Sequence, residues 1–186
     1  MSRILHTGGA PGADKAWTDL AEHSNITVNV WSKNDLKSQH PTILQQIDIS
    51  LSKAALVLGR PSEFSGKNYV RRDWLQVNMG SQQVVAVSYI IAPGHKDHKG
   101  YVNKTAYPIV SGGTGWTVQF GIMAGHEVKV FDMLTNKWYV WNYNFHTFRE
   151  SEVPELYKQF TGVGSRELTR EGEQAIKDVY TLNYPK

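Results

Sequence analysis

The chain has 186 residues, a formal net charge of +3 and no cysteine. That length suits one domain with a core of ordinary size, and the missing thiols exclude disulfides, thiolate metal sites and a cysteine nucleophile. No apolar run approaches the roughly 18 residues that a membrane span requires, and the opening MSRILHTGG lacks the apolar stretch of a signal peptide, so a soluble, cytoplasmic protein with no membrane partner is expected.

In chain order, Arg3 to Thr7 reads as a strand that meets the glycine loop Gly8-Gly9-Ala10-Pro11-Gly12-Ala13-Asp14, with Ala16, Trp17, Leu20 and Ala21 at helical spacing after it. Ile26 to Trp31 alternates as a second strand. Pro41 to Ser52 places Ile43, Leu44, Ile47 and Leu51 on one helical face, and Ala54 to Leu58 is expected as a buried strand. Asn68 to Met79 reads as a helix with Val70, Trp74 and Val77 inward, stopped by Gly80 before the strand Val84 to Ile91. Pro93 to Lys104 is polar and histidine-rich, the composition of a surface excursion over the ligand-binding edge of a sheet. Ile109-Val110 enters a second glycine loop, Ser111-Gly112-Gly113-Thr114-Gly115, followed by a helix carrying Val118, Ile122 and Met123 and a strand from Val128 to Phe131. Lys137 to Tyr143 is expected as an edge strand or hairpin arm. Gln159 to Val163 opens one more strand, which leads through Gly164-Ser165-Arg166 into an amphipathic helix from about Thr169 to Tyr180.

Alternating strands and helices with repeated glycine turns predict a single α/β domain over residues 1–186, a Rossmann-like, mostly parallel sheet with helices on both faces. Glycine after a strand lets the backbone approach a phosphate, and the following helix offers unpaired amides and the positive end of its dipole. A tight turn needs glycine for steric reasons as well, so the weight rests on three such loops lying at the carboxyl ends of strands in one sheet.

These motifs resemble the SLOG superfamily, which includes the Lonely-Guy phosphoribohydrolases and DprA-like proteins. SGGTGWTVQ from Ser111 to Gln119 is similar to the family's GGxGT phosphate loop, GGAPGAD from Gly8 to Asp14 to its GGAxGxD loop, and GVGSRELTREG from Gly162 to Gly172 to the GSR loop that usually opens the fold. Here that last loop comes at the end, so the chain resembles a circular permutant whose first βα unit is supplied by the carboxyl terminus. Met1 and Lys186 should then lie close together; exchange of the tail with a neighbouring subunit is the alternative.

The resemblance implies a ligand set of Gly8, Gly9, Ala10, Gly12, Asp14, Arg71, Arg72, Ser111, Gly112, Gly113, Thr114, Gly115, Trp116, Gln119, Gly164, Ser165 and Arg166. It implies no cofactor and, from relatives that dimerise, a homo-oligomer. Gln119 stands where the phosphoribohydrolases carry a catalytic Glu, which argues against that reaction because an amide cannot act as its carboxylate. Asp14 is the candidate catalytic residue, with Glu127 another carboxylate able to substitute; an aspartate in a first helical turn is equally favoured by the dipole. Arg166 reads as a phosphate ligand or a surface ion pair, Thr114 and Ser165 as hydroxyl donors or turn residues, and Trp116 as a base-stacking face or a cover for the core. Trp138, Tyr139 and Trp141 read as packing or interface residues, with a ligand role as the alternative. His95, Asp97 and His98 share one loop, but nothing fixes a coordination geometry, so no metal is expected.

The expected function is capture of a phosphate-containing nucleotide derivative, an ADP-ribose-type or cyclic signal, and the resemblance to phage-encoded members implies that such capture would counter a nucleotide signal in host defence. A nucleotide N-glycosidase and a DprA-like single-stranded DNA partner are the alternatives. Nucleic acid is disfavoured, since the basic residues are scattered rather than massed in a stripe.

Overall fold

The computed structural model describes residues 2–185; Met1 and Lys186, whose closeness the permuted reading expects, lie outside the described residues. Strand β1 (Arg3–Thr7) leads to helix α1 (Ala13–Glu22), then β2 (Ile26–Val30), the short α2 (Asn34–Lys37), α3 (Pro41–Leu58) and α4 (Lys67–Asn78). After β3 (Gln83–Ser88) come β4 (Ile90–Ile91) and β5 (Ile109–Val110), α5 (Thr114–Met123), β6 (Glu127–Asp132), β7 (Lys137–Asn142), β8 (Thr147–Ser151), β9 (Gln159–Gly164) and α6 (Arg170–Asn183).

Seven strands form one sheet in the order β2-β1-β9-β3-β6-β7-β8. The first five are parallel, and β7 and β8 add an antiparallel hairpin at one side. With β9 taken as first, the parallel strands follow the order 3-2-1-4-5 of a doubly wound domain. The strand that is central in space is therefore the last in sequence, and it pairs within its own chain through Leu5 with Phe160 on one side and Val85 with Gly162 on the other. The Arg3 guanidinium lies 5.0 Å from the centre of the Tyr184 ring, which brings the start of β1 against the end of α6.

Two sequence expectations are corrected. Ala54 to Leu58 is not a strand but the end of α3, because Ala54, Ala55 and Leu58 continue the buried face of Ile47 and Leu51 while Leu56 is 83% exposed. Gly59, at φ 66°, ends the helix in the left-handed conformation that glycine adopts without strain. Secondly, β3 stops at Ser88, and Ile90-Ile91 pairs antiparallel with Ile109-Val110 in a separate two-stranded sheet. The Gly112 loop thus follows a strand of this small ribbon rather than one of the main sheet. Of the two readings of Lys137 to Tyr143, the hairpin arm holds: β7 pairs antiparallel with β8, which forms the edge.

Helices α3, α4 and α5 cover one face and α1 and α6 the other, each over an apolar cluster. Trp17 of α1 is fully buried; its indole donates to the Val163 carbonyl at 3.1 Å, and its own carbonyl accepts from the Tyr180 hydroxyl at 2.6 Å. Helix, central strand and last helix are locked together at one residue. The indole lies so close to β9 that a β-carbon on Gly162 would come within 2.8 Å of Trp17 and 2.9 Å of Leu5. Gly162→Ala should therefore destabilise the fold by about 1–3 kcal/mol, as overpacked cores do, read as a lower urea midpoint.

Candidate functional site

All five parallel strands end at the same edge, and the chain leaves it in two directions. Beyond β9 it turns to α6 on one face, while beyond β3 it runs to α5 on the other. Loops that part in this way open a crevice at the carboxyl edge, the usual ligand position in doubly wound sheets. Two of the glycine loops are stitched directly across it: the Ala13 amide donates to the Ser165 carbonyl at 3.0 Å, and the Ser165 amide to the Val87 carbonyl at 2.9 Å. The Ser165 and Ser88 hydroxyls are hydrogen-bonded at 2.9 Å. Gly12, at φ 85°, admits no side chain, since a β-carbon there would sit 2.1 Å from the Arg166 carbonyl. The third loop joins one step further out, where the Ser111 amide donates to the Tyr89 carbonyl just past β3.

In the Gly8 loop the protein supplies its own anion. Asp14 turns its carboxylate back on the loop and accepts from the amides of Ala10 and Gly8. Burial dominates its titration and pushes it up to about 6, against the downward pull of those amides, Arg72 and Arg166. Beneath it Arg72, on α4, donates to the carbonyls of Gly8 at 3.0 Å and Trp31 at 3.3 Å, so it ties the ends of β1 and β2 together. Its Nε reaches Asp73 at 3.1 Å. Asp73 is buried, accepts from Gln76 Nε2 and the Thr117 hydroxyl, and is pushed up to about 7 by burial first and the nearby charge of Asp14 as well. The result is two carboxyl groups, from α1 and α4, poised near neutrality around one guanidinium.

The Gly112 loop is built differently. Gly112 and Gly113 are exposed, and space is open around both α-carbons. Thr114 is the first residue of α5, and Gly115 presses on the Val110 carbonyl, where a β-carbon would approach to 2.1 Å. Arg60 holds the loop from outside, donating to the carbonyls of Gly112 at 2.7 Å and Val110 at 3.2 Å. Ser111 donates to Asp97, which fastens the histidine-bearing excursion to this loop. Trp116 is buried and stacks on Phe64 with ring centres 5.4 Å apart, so its faces serve the core. Gln119 is buried further along α5.

The remaining sequence candidates separate. Gly9, at φ 71°, packs beside Val30, and Gly164 lies against Ala13 and the Val87 carbonyl. Arg166 is exposed at the rim. Arg71 points away from the crevice into a two-point ion pair with Asp48, at 2.8 and 3.2 Å, beside a hollow of about 540 Å³. Glu127 sits at the amino end of β6, bonded to Gln83 and Tyr157, and so at the opposite edge of the sheet. Trp138 and Trp141 bury on opposite faces. His95 bonds the Pro93 carbonyl, while the His98 ring lies tilted against Tyr89.

Asp73, Gln76, Thr117 and Arg60 belong to this edge and were missed in the sequence. Asp73 carried a readable signal: it falls three residues after Val70 and four before Val77, on the face of α4 marked as inward, where an aspartate needs partners.

No family model matches the chain, and comparison with curated proteins and with solved structures returned no match. Among the described residues no helix is long and apolar enough to cross a membrane.

The two neighbouring arginines should behave differently. Arg72→Met leaves Asp73 without its cation and two loop carbonyls without a donor, so a loss of about 3–5 kcal/mol is expected. Arg71→Met breaks a half-exposed pair and should cost under about 1 kcal/mol; urea denaturation of both variants checks the contrast. Both acids also bind their protons more tightly in the folded chain than in the unfolded one, where carboxyls titrate near about 4. Their contribution to stability must therefore fall as pH rises from about 4 to about 7, and Asp73→Asn should flatten that slope in denaturation midpoints measured across the window.

Proposed function

We propose that the chain belongs with the SLOG proteins it resembles and binds a phosphate-containing nucleotide derivative, an ADP-ribose-type or cyclic signal, holding it rather than turning it over efficiently. The observation that carries this reading is the gathering of three glycine-bearing turns where β9 and β3 part, with Arg166 exposed at the rim. Phosphate is assigned to the Gly112–Gly113 end of α5, where the backbone is open to approach and the helix dipole favours an anion. The Gly8 loop is assigned to the sugar instead, since its amides already hold a carboxylate that can accept from a ribose hydroxyl. Gln119 at the position of the family's Glu favours capture. Interception of a nucleotide signal by a phage-encoded protein is the setting the resemblance suggests, and a homo-oligomer its expected state.

A second reading, an N-glycosidic hydrolase, is favoured by the burial of Asp14 and Asp73 beside the Gly8 loop, which pushes the two carboxyl groups up to about 6 and about 7, toward the range in which such a group serves as acid or base at neutral pH. Asp14 would be the catalytic group, since it belongs to the Gly8 loop, whereas Asp73 is engaged by Arg72 and Gln76 of its own helix.

Purified protein screened by thermal shift against AMP, ADP-ribose, cyclic ADP-ribose isomers, NAD and cyclic dinucleotides separates the two. A ligand at a hundred times its Kd adds about 2.7 kcal/mol of stability, a rise of roughly 5–10 °C for a domain of this size. Capture predicts that rise with the ligand recovered intact by chromatography, and Arg166→Ala should weaken binding at least about tenfold with little change in Tm of the free protein. Release of free base identifies the hydrolase, and no shift with any of the panel refutes the nucleotide site.

A further inference from the structure

The hollow beside Arg71 lies outside the glycine loops. Its volume of about 540 Å³ is walled by the α2 turn, α3 and α4, and falls in the range of small-molecule sites. Leu36, Leu44 and Ile47 supply its apolar lining; Leu36 is 9% exposed and Ile47 is fully buried. Lys33, Lys37 and Arg71 stand around that lining, and among the described residues Asp48 is the one acid that joins them. The hollow therefore gathers a surplus of two positive charges, in a chain whose whole net charge is +3.

The three cations are not equivalent. Arg71 is already spent: its Nε and Nη2 donate to Asp48 at 2.8 and 3.2 Å, and its Nη1 donates to the Asn68 side-chain oxygen at 3.0 Å. A guanidinium fork filled in this way has no second edge for another carboxylate; it cancels Asp48 and ties α3 to α4. The lysines carry their charge unanswered. Neither has an acidic partner among the described residues. Asp35, between them in sequence, accepts instead from the Ser32 amide at 2.7 Å and the Ser32 hydroxyl at 3.2 Å. Lys33 Nζ rests 4.3 Å from the centre of the Tyr69 ring, a cation–π contact that steadies it at the mouth of the hollow. Like charges one helical turn apart, as at positions 33 and 37, repel each other, and an anion placed between them removes that cost.

We propose that this hollow binds a small organic anion with an apolar body, its negative head between Lys33 and Lys37 and its hydrocarbon part on Leu36, Leu44 and Ile47. The site is separate from the carboxyl-edge crevice and does not rest on the nucleotide reading. An ammonium group acts as a point charge, so the lysines accept any compact anionic head. The apolar lining is the stricter filter, because sugar hydroxyls laid on leucine and isoleucine would lose their hydrogen bonds to water without replacement. The ligand class is thus an aryl or alkyl acid rather than a sugar phosphate.

The probe is 2-naphthoate, titrated into nitrogen-15-labelled protein and followed by amide NMR. Its neutral analogue 2-naphthylmethanol tests the need for charge, and acetate tests the head without the body. Shifts centred on residues 33–37 and 44–48 are expected, with Gly8, Gly112 and Gly113 unmoved. The alcohol and acetate should each bind at least about fivefold more weakly than the naphthoate. The double variant Lys33→Ala/Lys37→Ala removes two exposed side chains, so it should fold normally and lose about fivefold or more in affinity. Asp48→Asn, which removes the acid and frees the Arg71 fork, should tighten binding instead. The proposal is overturned by shifts scattered over the surface or centred on the glycine loops, by equal binding of the alcohol, by unchanged affinity without the lysines, or by no response to millimolar naphthoate.

Discussion

Everything at the carboxyl edge depends on the pairing of β9 between β1 and β3. Its neighbours accept it in parallel register on both sides, so the sheet is continuous only because this strand is inserted. The insertion also creates the crevice: α6 leaves β9 toward the face shared with α1, whereas the chain beyond β3 crosses to α5 on the other. Trp17 fixes the depth of the insertion, since its indole bonds the β9 backbone and its ring fills the space that Gly162 leaves free.

The three glycine loops that meet there look alike in composition and differ in physics. One is filled by the protein's own carboxylate, Asp14, and backed by Arg72. Another, around Ser165, spends its amide and hydroxyl on the adjoining strand. Only the Gly112 loop presents open backbone, with its outer carbonyls held by Arg60. A ligand bound at this edge would thus find one loop offering amides, one offering a carboxyl group and one offering a rim arginine. Such unequal loops discriminate among ligands better than three equivalent phosphate cradles would, because each misplaced group leaves a buried polar atom unpaired.

The parallel βα pattern was legible in the sequence because each element carried a strong local signal: the short apolar run of β1 before its glycine loop, the alternation of β2, the 3.6-residue face of α4 and the amphipathic run of α6. Ala54 to Leu58 was misread because a short apolar run is equally a buried strand or the last turns of a buried helix, and only the side that packs decides. The break at Tyr89, and with it the small β4-β5 ribbon, depends on pairing across more than a dozen residues, which no local pattern encodes. Strand β8 has a half-exposed, polar sequence, THR-PHE-ARG-GLU-SER from 147 to 151, and exists because β7 offers it an edge. In the site, the glycine loops were visible as motifs, but their occupancy was not: whether Gly8 amides face a ligand or Asp14 is settled by side-chain direction. Arg71 and Arg72 are adjacent in sequence and were interchangeable there; 100° of helical rotation sends one to Asp48 and the other to the crevice.

The position of β9 has a consequence for how the chain comes to be folded. During synthesis it emerges after every other strand of its sheet, so β1 with β2, and β3 with β6, must wait as two fragments whose facing edges are bare. Unpaired inner edges rich in Val and Leu are the surfaces most prone to wrong partners. Long-range pairing of this kind is also slow. The nascent protein therefore passes through a stage in which α1 and its fully buried tryptophan have no central strand to close upon, and the arrival of one late segment converts two loose halves into a cooperative whole.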